Sequence, residues 1–268
     1  MNVYARLSEN EKSSLNKAFP GLDISKLDIN RLWNLMDQIW DDLGCNYSTS
    51  EDNLKKIEKF YEHPVWILNG LFVEKDSESQ INREKIVNWI NKNNKEYLVK
   101  SVLDYGGGFG TLGRMIVDGN QKLKVDIYEP HPLKVAEKII NKYKQIKFVD
   151  NTSKKYDAVV CTDVLEHVFK PLDMLEEIKK TLKTDGIFIV GSCFYPFIKC
   201  HLPKNFYLRY FFKYFAYLYN FELVKQIPGG YLYVFRNKAG IKNIIWIKIS
   251  EVLARLLYRP LNFTQFFR

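Results

Sequence analysis

Hydrophobic and polar positions change rhythm once along this chain. Before about residue 97 the spacing is helical. In "DINRLWNLMDQIWDDLG" the apolar residues Ile29, Leu32, Trp33, Met36, Ile39, Trp40 and Leu43 recur three and four positions apart, with Asp28 placed to cap the start and Gly44 to stop the end. "TSEDNLKKIEKFYEHP" repeats the period through Leu54, Ile57, Phe60 and Tyr61, with Pro64 just beyond. "SESQINREKIVNWINKNN" predicts a third helix that runs into a polar turn.

From Tyr97 short apolar runs of strand length alternate with helical stretches. The predicted strands are "LVKSVLDY", "KLKVDIYE", "QIKFVD", "YDAVVCTD" and "GIFIVGS". Helices are predicted after the first strand to about Val117, over "PLKVAEKIINKY", over about Leu172 to Leu182, and over an aromatic stretch from Pro203 to Tyr219. "FELVKQI" and "YLYVFRN", joined by Pro228-Gly229-Gly230, read as a hairpin. Strand–helix alternation predicts a doubly wound parallel sheet with helices on both faces, closed by an antiparallel hairpin strand. The last thirty residues are apolar with a polar stripe through Lys248, Glu251, Arg255 and Arg259. Two readings fit that stripe: a helix docked on its own domain or a sister subunit, and a helix docked on a membrane surface.

Composition narrows this picture only a little. At 268 residues, 46% hydrophobic and 26% charged, the chain has the balance of a soluble globular protein. The net charge of +9 is spread over scattered lysines, without the basic block and interleaved aromatics that track a nucleic-acid backbone, so no nucleic-acid partner is expected. Cys45, Cys161, Cys193 and Cys200 form no C-x-x-C pair and follow no apolar leader, which predicts free thiols and a cytoplasmic location.

The chemistry concentrates in "SVLDYGGGFGTLG", Ser101 to Gly113, with five glycines in thirteen positions. "GFGTLG" satisfies the dinucleotide pattern G-x-G-x-x-G, with Glu129 beyond it. The register argues against a nicotinamide site, because Gly106 and Gly107 intervene and Asp104 closes the strand. No Gly-Lys-Ser/Thr follows, so a triphosphate loop is excluded. In an open α/β sheet the ligand lies outside the carboxyl ends of the strands, where Asp104, Glu129, Asp150 and Thr162 fall.

The full pattern, Asp104-x-Gly106-x-Gly108-x-Gly110, resembles the first motif of the class I S-adenosylmethionine-dependent methyltransferases, in their small-molecule, type 11/12-like branch. The resemblance continues in order through Glu129 of "VDIYEP", Asp150 and Asn151 of "KFVDNT", "YDAVVCTDVLEHV", "TLKTDGIFIVGS" and "HLPKNFYLRYFFKYFAYLYNFELV". It departs at Asn220, where the family has glycine, a position asparagine fills by taking the same turn conformation. The resemblance implies a Rossmann-like, seven-stranded, mostly parallel sheet. It implies S-adenosylmethionine as cofactor, with S-adenosylhomocysteine as product. It places cofactor binding on Asp104, Tyr105, Gly106, Gly107, Gly108, Gly110, Glu129, Pro130, Asp150, Asn151, Thr162 and Asp163, with Glu129 on the ribose hydroxyls and Asp150 and Asn151 at the adenine. The domains then read as a helical cap over 1–97, a cofactor-binding domain over 98–237 and a helical tail over 238–268.

Methyl transfer to a hydroxyl needs a base, and histidine suits neutral pH. His201 and His167 are the candidates, with Glu166 as an orienting partner, while His63 and His131 each neighbour a proline and read as turn or helix-start residues. No metal is expected, since the histidines lack zinc-site spacing; the one magnesium arrangement left open uses Asp163 with distant carboxylates. Lys199, Lys204, Arg209 and Lys213 suit an anionic acceptor, and Tyr61 and Arg83 are placed to reach the site. The expected activity is O-methylation of a small molecule, such as a hydroxyl of a sugar or anionic glycan precursor. The alternatives are N- or C-methylation, a NAD-dependent oxidoreductase, and a methyltransferase-like scaffold without turnover. A homo-oligomer or a peripheral membrane contact through the tail completes the expected partners.

Overall fold

The structure, a computed structural model, describes residues 3–229 and 231–264, for residues 259–264 without their side chains. The chain divides into two compact units: Met1–Thr152 with Phe197–Cys200, and Ser153–Pro196 with His201–Arg268.

The first unit begins with five helices: α1 (Glu9–Ala18), α2 (Ile29–Asp42), α3 (Glu51–Glu62), α4 (Val65–Val73) and α5 (Ser77–Tyr97). The caps read from the sequence are present. The Asp28 carboxylate accepts from the Arg31 N–H at 2.8 Å, and Gly44 stops α2 with φ +65°. Two helices were not foreseen. α1 carries a capping box, in which Ser8 Oγ accepts from the Glu11 N–H and the Glu11 carboxylate from the Ser8 N–H. Its S-x-x-E signature stands in the sequence. α4, "VWILNGLFV", is apolar on every side and offers no polar stripe from which a period can be read. Val65, Leu68 and Leu71 on it are almost wholly buried, each contributing about 1.5–3 kcal/mol.

Strands β1 (Ser101–Tyr105), β2 (Lys124–Tyr128) and β3 (Ile146–Phe148) of this unit run parallel, with β2 in the middle. Helices α6 (Thr111–Gly119) and α7 (Lys134–Ile140) connect them. β1 and β2 bury Val102, Leu103, Val125 and Ile127. Glu11 of α1 also accepts from the Val135 N–H at 2.8 Å, which ties the start of α7 to the N-terminal helices.

In the second unit β4 (Tyr156–Thr162) and β5 (Leu182–Gly191) are parallel, with α8 (Pro171–Thr181) between them in sequence. β6 (Phe221–Gln226) and β7 (Leu232–Asn237) form the predicted antiparallel hairpin, with β7 antiparallel to β5. Gly230 of the turn lies outside the described residues. β5 begins at Leu182, earlier than the apolar run suggests, because β4 and β5 pair irregularly near Tyr156 and Ala158. Asn220, between α9 (Leu208–Leu218) and β6, has φ +60°, so asparagine takes the turn expected of it. The fold class is the one expected: an α/β, Rossmann-like arrangement of seven mostly parallel strands that closes in antiparallel ones.

The tail forms α10 (Ile244–Thr264). It docks on α9 through Ser250, which shares a hydrogen bond with the Tyr214 hydroxyl, and through Glu251, which accepts from the Tyr207 hydroxyl at 3.0 Å. Arg255 pairs with Glu251 and donates to the Lys204 carbonyl. The expected polar stripe thus faces the protein in part, and the Arg259 side chain lies outside the described residues. No described helix is long and apolar enough to cross a membrane.

Candidate functional site

The glycine loop follows β1 in the first unit, and its composition answers to its packing. A Cβ on Gly107 would lie 2.7 Å from Asp104 Oδ2 and from Ile127 Cγ2. Gly110 has φ +69° and would press the Ile127 and Ile140 side chains. The loop is held from outside by α4. The Phe109 ring covers Gly70, where any Cβ would clash with it, and Glu74 accepts from the Thr111 hydroxyl and pairs with Arg114.

Glu129 follows β2. Its carboxylate accepts from the Gly108 N–H at 3.0 Å and the His131 N–H at 3.2 Å. Each of its oxygens keeps a lone pair, so it can fasten the loop and still accept from a ligand hydroxyl. Tyr61 stacks on His131 with ring centroids 6.0 Å apart, so α3 reaches the turn that holds Glu129 and Pro130. Tyr105 is buried, whereas Pro130, Asp150 and Asn151 are exposed.

Asp104 is 3% exposed, and its Oδ2 has no hydrogen-bond partner. Burial pushes its carboxyl up from 3.8 to about 7; the Arg83 charge opposes that rise and the Glu129 charge adds to it. A buried carboxyl with one oxygen left unpartnered suits a cationic ligand. Because the folded value is raised, the folded state binds the extra proton between about pH 4 and pH 7, and stability falls as pH rises through that window. Without ligand, Asp104→Asn is therefore expected to be more stable than the native chain at pH 8, by roughly 1–3 kcal/mol, with a clearly smaller gap at pH 5. Thermal melts at the two pH values check this; an equal gap at both removes the assigned titration.

The second unit carries the other cluster. Glu166 is fully buried after β4. Its Oε1 accepts from the Cys193 N–H at 2.6 Å, while Oε2 has no partner. Burial, with Asp163 adding, pushes this carboxyl up to about 7. The His167 and His201 rings meet edge to face, centroids 4.8 Å apart. His201 Nδ1 lies 2.7 Å from the Tyr195 carbonyl, which can only accept. Nδ1 therefore carries the proton, and Nε2 of the neutral ring is the basic nitrogen. Burial holds this imidazole below its ordinary value, and His167 lowers it further. Glu166, His167 and His201 each offer one ligand atom, all within 4.8 Å of one another. The fold thus gathers donors that the sequence spacing kept apart, because Leu202 N–H donates to the Glu166 carbonyl and Asn205 donates to the carbonyl of Val168. Thr162 ends β4. Asp163, with φ +56°, accepts from the Tyr231 hydroxyl at 2.7 Å, a contact the sequence did not signal.

Residues 78–206 match a family described as a methyltransferase domain, a span that takes in the glycine loop, Glu129 and the Glu166 cluster. Residues 78–206 thus form a methyltransferase domain. The chain is 30% identical over 106 residues to the ubiquinone biosynthesis O-methyltransferase of Actinobacillus pleuropneumoniae serotype 5b (strain L20), covering 35% of this chain and 45% of that protein. It is 24% identical over 159 residues to the protein of the same name from Haemophilus ducreyi (strain 35000HP), covering 54% and 65%. The chain thus spans less than two thirds of either relative. In fold, the chain is similar to the structure of an O-methyltransferase family protein from Burkholderia thailandensis, with TM-score 0.52, 13% identity, and coverage of 78% of this chain and 70% of that one.

Each cation expected to receive an anionic acceptor has a partner within the protein. Lys199 pairs with Asp41. Lys204 lies over the Phe169 ring, Lys213 over that of Tyr233, and Arg209 over that of Tyr195 while donating to the Phe194 carbonyl.

Proposed function

We propose that this protein transfers a methyl group from S-adenosylmethionine to a hydroxyl of a small molecule. The observation that carries the reading is the Glu166–His167–His201 cluster, with Glu166 and His201 buried and His167 half-buried, in a chain with a methyltransferase domain. His201 is the base: Nε2 takes the hydroxyl proton, the oxygen attacks the methyl carbon in line with the departing sulfur, the carbon–sulfur bond breaks, and the sulfonium becomes a neutral thioether. The Tyr195 carbonyl fixes the tautomer, and Glu166 beside the two rings favours the imidazolium that forms. Asp104 and Glu129 hold the cofactor's cationic and ribose ends. An aromatic hydroxyl is favoured over a sugar, because both relatives are named for ubiquinone synthesis and the cations suited to an anionic glycan are engaged elsewhere.

The same three side chains support a second reading. Two imidazoles and a carboxylate with an unpartnered buried oxygen form a donor set for a divalent cation, and His201 already gives its other ring proton to a carbonyl, as metal-binding histidines do. Such an ion, held by these three residues, would act as a Lewis acid and lower the pKa of the hydroxyl.

Titration calorimetry is expected to register S-adenosylhomocysteine and no NADH, and incubation with S-adenosylmethionine and a catechol to give a methyl ether. Saturation by NADH instead returns the chain to the oxidoreductases, and cofactor binding without turnover on any hydroxyl leaves a scaffold. Loss of turnover in EDTA, restored by a divalent metal, selects the metal reading over the free base.

A further inference from the structure

The tail helix is apolar on two sides, and only one of them is used. Ile247, Ser250 and Ala254 are buried. The opposite arc carries Ile245, Trp246, Ile249, Val252, Leu253 and Leu256, all between 46% and 74% exposed. At 100° per residue these six span little more than a third of the helix circumference, with no charged or polar residue among them. Lys248 stands exposed at the edge of the arc, and the neighbouring helix α9 adds exposed Tyr214 and Tyr217. An uninterrupted face of this size is far beyond the scattered apolar residues that a soluble surface carries.

Charge decides what covers it. From Lys238 to the last residue the sequence has six lysines and arginines against one acid. Lys238 pairs with Asp185 and Glu222, Lys242 with Glu176 and Arg255 with Glu251, which leaves Lys248, among the described side chains, as the tail cation placed to meet an outside anion. The single acid, Glu251, is taken up by Arg255 and Tyr207. A second copy packed arc to arc would set Lys248 against its own counterpart, with the helix's one acid already engaged. An anionic lipid surface complements both the apolar arc and Lys248, with a tryptophan and tyrosines suited to the headgroup level. The buried opposite face keeps the helix lying along the surface, and no described helix is fit to span a bilayer.

We propose that the outward face of α10 docks this protein on anionic membranes. The full chain, with S-adenosylhomocysteine present, is to be floated with vesicles of phosphatidylcholine containing about 30% phosphatidylglycerol, and with phosphatidylcholine alone. The expected result is binding to the anionic vesicles, at least tenfold weaker on the neutral ones and weakened by salt. Ile249→Glu with Leu256→Glu is expected to lower binding at least tenfold, and Lys248→Glu several-fold, with circular dichroism and cofactor affinity unchanged. Ile249→Asn with Leu256→Asn, which adds no charge, is expected to weaken binding to both vesicle types. Three results overturn the proposal: no binding to anionic vesicles; binding untouched by either double variant in a folded chain; or, in place of vesicle binding, a dimer by light scattering that the double variants dissociate. Cofactor binding reads the domain separately, so failure of the membrane docking leaves the methyltransferase reading intact.

Discussion

Replacing His201 by alanine is expected to lower kcat by about 10²–10⁴-fold, the range a positioned general base contributes, while S-adenosylhomocysteine binds as before. The imidazole sits in the second unit with its tautomer set by the Tyr195 carbonyl. The groups assigned to the cofactor's charged and ribose ends, Asp104 and Glu129, are in the first. Turnover should therefore fall without a matching loss of cofactor affinity. His167→Ala in parallel ranks the two rings, and the residue whose loss costs more is the base. Full activity in His201→Ala rejects the assignment. A fall in cofactor affinity as large as the fall in kcat would mean that the substitution disturbs the fold rather than the chemistry.

Replacing Glu129 by alanine is expected to weaken cofactor binding by about 10–100-fold, the loss of a charge-assisted hydrogen bond or two at roughly 1.5–3 kcal/mol. Part of that cost is internal, because the same carboxylate accepts from the Gly108 and His131 N–H groups and so shapes the loop. Glu129→Gln separates the shares. Its amide keeps one acceptor oxygen for the backbone but loses the charge and the paired acceptors that two ribose hydroxyls need. If calorimetry gives glutamine the affinity of the native chain, Glu129 serves the loop alone.

Much of this was legible in the chain. The switch from a period of 3.6 to strand-length runs marked the change from helical region to sheet, and the acid-and-glycine pattern at Asp104 to Gly110 separated the loop from nucleotide-phosphate sites. Asp28, Gly44 and Asn220 did in the structure what their side chains predict. The helix over Val65–Val73 was not legible, because a short segment that is apolar all round carries no period. The Glu166–His167–His201 cluster was half legible. Two members are adjacent, but the third arrives 34 positions later through a loop held by the Leu202 N–H on the Glu166 carbonyl, a backbone bond that leaves no mark on residue type, and by the Asn205 side chain on the Val168 carbonyl, whose partner the sequence does not name. Tyr231 on Asp163 was missed because the two side chains stand 68 positions apart with no pattern linking them.

The segment just before the family match deserves weight for a practical reason. Similarity to other methyltransferase domains starts at residue 78, yet Gly70 and Glu74 lie upstream of that point and brace the bend that follows the first strand. Trimming the gene to the recognised borders would remove that brace and leave the Arg114 guanidinium buried with no anion beside it. Evolutionary kinship and mechanical integrity draw different borders in this chain, and anyone expressing a shortened version should follow the second.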